Sequence, residues 1–289
     1  MAQANPHVVV VIGLGGIGLA IARRITQGRK LLVASRTINM LSPAIKSLQY
    51  DGHDVVTHQA DITDYKSVES LAQFAKTVGN VTAVVLTSGV ASTTATTQDI
   101  HSIDLIGTAN VIDAFLPVVG PGSSVVCLSS QAGFMVPLPL TLQKHLATAP
   151  RDKLLDNEEL QSFSDARAAY SVAKLGNIVR VQAAAKAYGL RGARINSVSP
   201  GLTASEMGYS ALAASVEYLE KMKKTAAIGR MGTVEEMASA VEFLIGPSSS
   251  YVTGTDILVD GGAVGAYRWP EGTQTPALEV PDEKATPVA

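Results

Sequence analysis

Short β-branched runs alternate along this chain with longer stretches whose apolar positions recur every three to four residues. Val8-Val9-Val10-Val11-Ile12 is a continuous apolar run closed by Gly13. That is the pattern of a strand buried on both faces. Residues 16–27 then carry Ile17, Ala20, Ile21, Arg24 and Ile25 at helical spacing, with Gly28 as the stop. Residues 31–34 and 55–57 read as the second and third strands, and residues 83–86 as the fourth. Between them, residues 64–78 place Val68, Leu71, Ala72, Ala75 and Val78 on one helical face. A further helix is predicted within 100–119, ending near Pro117. Strands follow at 124–128, 194–198 and 256–259, and helices at 166–188 and 234–245. Buried strands separated by helices predict the α/β class: a doubly wound parallel sheet of about seven strands, covered on both sides.

No repeat or linker divides the body, so residues 1–269 read as one domain. Two segments break the rhythm. Residues 131–165 are long and mixed, with Pro137, Pro139 and Pro150. The segment is anchored between candidate site residues, so a lid or wall over the substrate site is expected, with packing on a neighbouring subunit as the alternative. Residues 270–289 are proline-rich and read as a C-terminal tail.

Composition narrows the function. The 289 residues carry a formal charge of −2, and only 17% are charged. A disordered polyelectrolyte is excluded, and no basic surplus suits a nucleic-acid partner. No apolar run reaches the ~20 residues of a membrane span, and no signal peptide is evident at the start; a cytoplasmic protein is expected. The single Cys127 excludes an internal disulfide and reads as inert packing. His7, His53, His58, His101 and His145 show no metal spacing and are expected at surface or turn positions. No metal site is expected.

The chemistry gathers where the strands end. Gly13-Leu14-Gly15-Gly16-Ile17-Gly18 satisfies G-x-G-x-x-G between a strand and a helix. Such a turn admits a pyrophosphate to the helix N-terminus and marks a Rossmann fold. Ser35-Arg36-Thr37 closes the second strand, and no acid follows until Asp51. Hydroxyls and a guanidinium suit a 2′-phosphate, which favours NADP(H) over NAD(H). Asp61-Ile62 after the third strand could receive an adenine amino group; a turn cap is the alternative. Tyr170 and Lys174 stand at i, i+4 on one helix. An ammonium beside a phenol stabilises phenolate, so the pair can act as general acid and base. Ser129-Ser130 and the 196–201 stretch also lie at strand ends.

These residues resemble the short-chain dehydrogenase/reductase family over roughly residues 7–265. The glycine turn, Asp61-Ile62, Ser130, Tyr170 with Lys174, Pro200-Gly201, and Val252-Thr253-Gly254 leading to Asp260-Gly261-Gly262 carry the likeness. The resemblance implies hydride transfer between a nicotinamide and a ketone or secondary alcohol, and the Leu, Pro, Met and Phe of residues 131–165 suggest an apolar or aromatic small molecule as the substrate. It makes Tyr170 the proton carrier, Lys174 its partner and the holder of the nicotinamide ribose, and Ser130 the donor to the substrate oxygen. It places Gly13, Gly15, Ile17, Gly18, Ser35, Arg36, Asp61, Ile62, Ser88, Gly89, Pro200, Gly201 and Thr203 along the cofactor. It also implies a homo-oligomer, tetramer or dimer. Ala168, Ala169, Ala183, Ala184 and Ala185 on the long helix are suited to packing against a copy of it.

Three departures stand out. Thr87-Ser88-Gly89-Val90 replaces the family's Asn-Asn-Ala-Gly. Asp104 occupies the place of a helix asparagine that supports a water-linked proton relay. Forty positions separate Ser130 from Tyr170, far more than usual. A lyase or isomerase using the same Tyr/Lys site, and a catalytically silent nucleotide-binding protein, are the alternative functions.

Overall fold

Val8 to Ile12 are all fully buried in β1 (His7–Ile12), and they alternate between two apolar cores. Val8, Val10 and Ile12 enter one, Val9 and Val11 the other. A period of two sends successive side chains to opposite faces, and both faces are covered. The computed structural model describes residues 6–212 and 225–269. In it, β1 is followed by α1 (Gly16–Ile25), β2 (Lys30–Ser35), α2 (Ser42–Tyr50), β3 (Asp54–Gln59), α3 (Tyr65–Val78) and β4 (Asn80–Leu86). Then come α4 (Thr97–Ile100), a wide π-helical turn (His101–Ile106) and α5 (Gly107–Phe115), which run into one another, and β5 (Ser124–Leu128). After α6 (Leu140–Thr148), α7 (Glu158–Gln161) and the long α8 (Ala166–Leu190) come β6 (Arg194–Pro200), β7 (Thr203–Ala204) and α9 (Glu206–Leu212). The chain continues through β8 (Gly232–Thr233), α10 (Val234–Ile245), β9 (Asp256–Val259) and α11 (Ala263–Arg268).

Seven strands form one parallel sheet in the order β3-β2-β1-β4-β5-β6-β9. The doubly wound architecture expected from the sequence is therefore present. Ile21, Leu48 and Leu244 cover one face of the sheet from α1, α2 and α10; Leu71, Phe115 and Val181 cover the other from α3, α5 and α8.

Several elements differ from expectation. The α2 helix buries only Leu48, so its apolar signal is too sparse to read. The predicted 100–119 helix is split by the π-helical turn. His101 lies in that turn and is 6% exposed, which corrects its surface assignment; the turn rotates it inward with Asp104 and Leu105.

Residues 131–165 form a turn at Gln131–Phe134, then α6 and α7. Leu138, Leu142, Leu146, Leu154 and Leu160 build a third core with Ala169, Val172 and Ala173 of α8. Much of the segment thus packs along α8. This also buries Ala169 within the chain, so the alanine stripe free to meet a copy shrinks to its C-terminal half, where Ala183 is exposed. The tail at 270–289, and residues 213–224, lie outside the described residues. Among the described residues, no helix is long and apolar enough to cross a membrane.

Candidate active site

A parallel sheet delivers every strand-to-helix loop to one edge. Along that edge lie, in sheet order, Asp61 after β3, Ser35-Arg36 after β2, the glycine turn after β1, Thr87–Gly89 after β4, Ser130 after β5 and Pro200-Gly201 at the end of β6. Five strand spacings make a row about 24 Å long, the scale of an extended dinucleotide. The chain winds outward in both directions from the gap between β1 and β4, where a doubly wound sheet opens a crevice.

The glycine turn is built for close approach. Gly13 has φ +95°, and its N–H donates to Ala34 O at 2.8 Å. A Cβ there would lie 2.6 Å from Ser88 Oγ and 2.7 Å from Ser88 N. Thr87 locks this packing by donating its hydroxyl to Gly13 O at 2.8 Å, and Gly18 packs against both Gly13 O and Thr87 Oγ1. Gly15, by contrast, faces open space and caps α1 without any side-chain bond; no acid stands in the first turn. Exposed N–H groups at the positive end of the helix dipole fit a phosphate. Half-exposed Ile17 follows in the same turn.

Arg36 is exposed beside half-buried Ser35, and its guanidinium makes no hydrogen bond among the described residues. Asp61 accepts from Thr63 N and Thr63 Oγ1 through Oδ1 at 2.9 and 2.8 Å, so it does cap a turn. Its Oδ2 makes no such bond. Ile62 is buried, with its carbonyl held by Asn110 Nδ2 at 2.8 Å. Thr203 is buried and turns its hydroxyl onto Gly201 O at 3.0 Å. Ser205 comes against the open turn at Gly16, so the segment after β6 folds back over α1.

Four sequence-selected residues, Gly89, Asp104, Tyr170 and Lys174, meet beyond the end of β4. Lys174 Nζ lies 3.2 Å from Asp104 Oδ1, with the two side chains 6% and 0% exposed. The same Nζ stands 5.2 Å from the centre of the Tyr170 ring. Asp104 Oδ1 also accepts from Val90 N at 3.1 Å, while Oδ2 is buried without a partner. A Cβ at Gly89 would fall 2.7 Å from Asp104 Oδ1 and 3.3 Å from Lys174 Nζ, so this ion pair needs glycine beside it. Burial pushes the Asp104 carboxyl above its usual range, against the opposing pull of Lys174. Burial alone would lower Lys174, but the charges of Asp104 and then Tyr170 outweigh it, and its pKa is raised. Lys174 therefore keeps its charge beside the Tyr170 ring, with Asp104 as its counter-ion.

The two serines divide the work between them. Ser129 is buried and donates to Lys174 O at 2.6 Å, tying β5 to α8. Ser130 is half-exposed, and its Oγ accepts from Ala132 N at 3.2 Å, which leaves its hydroxyl proton to point elsewhere. Cys127 is fully buried and its thiol is pushed up to about 12, in keeping with inert packing. Among the described residues, no three His, Cys, Asp or Glu side chains gather as metal ligands.

Comparison with known proteins places this arrangement. The family described as short chain dehydrogenase matches residues 7–141, and that described as Enoyl-(Acyl carrier protein) reductase matches residues 159–264. Short-chain dehydrogenase/reductase bsc3 of Alternaria brassicicola is 36% identical over 89% of this chain and 95% of its own length. The chain belongs to the short-chain dehydrogenase/reductase family. As a member, it is an NAD(P)-dependent oxidoreductase. A 3-alpha-hydroxysteroid dehydrogenase/carbonyl reductase of Comamonas testosteroni is 30% identical over 75% of this chain and 89% of its own. Among solved structures, an actinorhodin polyketide ketoreductase with NADPH superposes with a TM-score of 0.72 at 24% identity, covering 91% of this chain and 99% of its own.

Sequence reasoning missed three supports in this short-chain dehydrogenase/reductase. Thr87 clips the glycine turn, Val90 N–H holds Asp104, and Ser129 anchors Lys174 through its carbonyl. Ser129 is visible in the sequence as the first of the paired serines, and Thr87 and Val90 only as the ends of a segment that departs from the family. A main-chain N–H has no sequence signature.

Proposed function

We propose that this enzyme is an NADP(H)-dependent carbonyl reductase or alcohol dehydrogenase acting on an apolar or aromatic small molecule. The buried Asp104–Lys174 pair beside Tyr170 carries the reading, because a charge so placed is costly unless it serves a neighbour. A bound nicotinamide would supply or accept the hydride. Tyr170 Oη gives the proton to the carbonyl oxygen during reduction and takes it back during oxidation. Ser130 donates its hydroxyl to the same oxygen. Lys174 stabilises the phenolate and receives the nicotinamide ribose, and Asp104 keeps Lys174 charged.

The cofactor would lie along the row of strand ends. Gly13, Gly15, Ile17 and Gly18 hold the pyrophosphate, and Ser35 and Arg36 the 2′-phosphate. Asp61 Oδ2 and Ile62 take the adenine, while Ser88 and Gly89 admit the adenosine half. Pro200, Gly201 and Thr203 flank the nicotinamide. The exposed guanidinium of Arg36 and the lack of an acid at the end of β2 support NADP(H) over NAD(H). Half-exposed Phe134, Met135 and Val136, directly after Ser130, support an apolar substrate.

The test is NADPH oxidation against a panel of aromatic and alicyclic ketones, with Tyr170→Phe beside the parent. Turnover should fall by ~10²–10⁴ in the variant while NADPH still binds. Near-normal turnover would remove Tyr170 from the mechanism, and a parent that prefers NADH would remove Arg36 from the cofactor site.

A further inference from the structure

Residues 131–165 reach the catalytic groups through their backs. Leu105, Ala169 and Ala173 are the chain neighbours of Asp104, Tyr170 and Lys174. All three are fully buried in the core that Leu138, Leu142, Leu146, Leu154 and Leu160 build, and the Tyr170 ring packs against the same core. The segment therefore touches both helical elements that carry the ion pair: the π-helical turn through Leu105, and α8 through Ala169 and Ala173.

It is fastened at several points. Asp165, its last residue, caps α8 by accepting from Arg167 N and Ala168 N at 2.9 and 3.2 Å. Thr97 of α4 donates to Ser164 O at 2.9 Å. In the middle, the space beside Gly176 is filled by Leu105 and Leu146. Lower down, Arg180 is 7% exposed and donates to Leu146 O at 3.1 Å and Ala149 O at 2.9 Å, while its Nε has no partner. These carbonyls stand at the negative end of α6, which favours a cation. On the far side, Arg151 stacks 3.5 Å from the Tyr65 ring centre and reaches Asp113 of α5 at 3.4 Å.

A buried guanidinium whose only hydrogen bonds go to main-chain carbonyls is stable only if those carbonyls stay in place. Arg180 lies ten residues beyond Tyr170, about 15 Å along the helix axis. The attachments at Asp165 and Arg180 thus grip α8 on both sides of Lys174.

We propose that residues 131–165 are a brace that presses α8 against the π-helical turn and so sets the Asp104–Lys174–Tyr170 geometry, with Arg180 and Leu146 as positioning residues. The proposal rests on the reading of Tyr170 and Lys174 as the proton-transfer groups. It distinguishes this segment from a lid. A lid contacts substrate and acts on KM; a brace acts on the alignment of the reacting groups and hence on kcat.

Arg180→Met, Arg180→Lys and Leu146→Ala test it. Each is compared with the parent by steady-state ketone reduction, NADPH titration and amide hydrogen exchange across α8. Loss of alignment in Arg180→Met and Leu146→Ala should lower kcat by about tenfold or more. KM and the NADPH Kd should stay within about twofold, and exchange in the turns around residues 170–177 should quicken. Arg180→Lys, which restores a donor, should recover part of kcat. A raised KM with unchanged kcat would overturn the brace in favour of a lid. Unchanged kinetics with unchanged exchange would reduce the segment to filler. Should Leu146→Ala or Arg180→Met fail to fold, Leu146→Val carries the same expectation in smaller measure. If the parent reduces no ketone, the proposed activity fails, and faster α8 exchange with unaltered NADPH binding still reports on the brace alone.

Discussion

Asp104→Asn keeps the shape of the side chain and removes its charge, so it isolates what that charge does. Asp104 Oδ1 and Lys174 Nζ are 3.2 Å apart with almost no exposure. At an effective dielectric of about 20, that separation corresponds to roughly 5 kcal/mol of attraction. An asparagine oxygen can still accept from Val90 N–H and from Lys174. Part of the interaction survives, and a net stability loss of about 1–3 kcal/mol is expected. In the parent, Asp104 holds the Lys174 pKa above its ordinary value, so the ammonium persists until the pH rises past that raised value. In the variant the burial that opposes the charge is less opposed, and the ammonium is lost at lower pH. The alkaline limb of kcat/KM for ketone reduction should therefore move toward neutrality. The Tm deficit should be greatest at neutral pH and shrink as the pH rises from the variant's lowered Lys174 value toward the ordinary lysine value of about 10.4, because a neutral buried lysine no longer needs a counter-charge. The assays are a pH series of initial rates and a matching series of thermal melts. Superimposable profiles, with a Tm difference independent of pH, would refute the argument and leave Asp104 as an acceptor for Val90 alone.

The adjacent serines should separate by assay. Ser130→Ala should lower turnover with little change in Tm, whereas Ser129→Ala removes a buried bond to the Lys174 carbonyl and should cost ~1 kcal/mol or more in denaturant unfolding. The reverse pattern would exchange their roles. Gly13→Ala forces a side chain onto a residue at φ +95° and into Ser88, so NADPH affinity should drop steeply, with at least ~1 kcal/mol of lost stability. Unaltered NADPH titration would show that the turn is not the pyrophosphate site.

Most of the sheet was legible because strands buried on both faces leave unbroken apolar runs, as in residues 8–12 and 83–86. The α2 helix was not, since it lies at the surface with a single buried leucine and a proline in its first turn. The split between α4 and α5 escaped for a different reason. The buried face steps five residues from Ile100 to Leu105 and then four to Ala109, but Ile100, Ile103 and Ile106 at three-residue steps supply the stripe of a regular helix and mask the turn. Its effect is chemical: it carries Asp104 inward to Lys174, and His101 inward with it.

The candidate site was legible to the extent that its chemistry sits in side chains at strand ends. Tyr170 and Lys174 could be named from type and spacing, and Ser130 and Asp104 from the family resemblance. What could not be read was the load on each. The resemblance makes Asp104 the stand-in for an asparagine of a proton relay; only the fold shows that its carboxylate is the direct counter-ion of Lys174. The same holds for residues 131–165. Their length and their anchoring between Ser130 and Tyr170 suggest a lid or wall, because sequence gives the ends of the segment but not its facing partner. The partner is the outer face of α8, where Ala169, Ala173 and Gly176 are small enough to admit leucines closely. Small residues on that helix are thus spent on admitting these leucines. A copy of the chain seeking the same surface would have to displace Leu142 and Leu146, which are fully buried already.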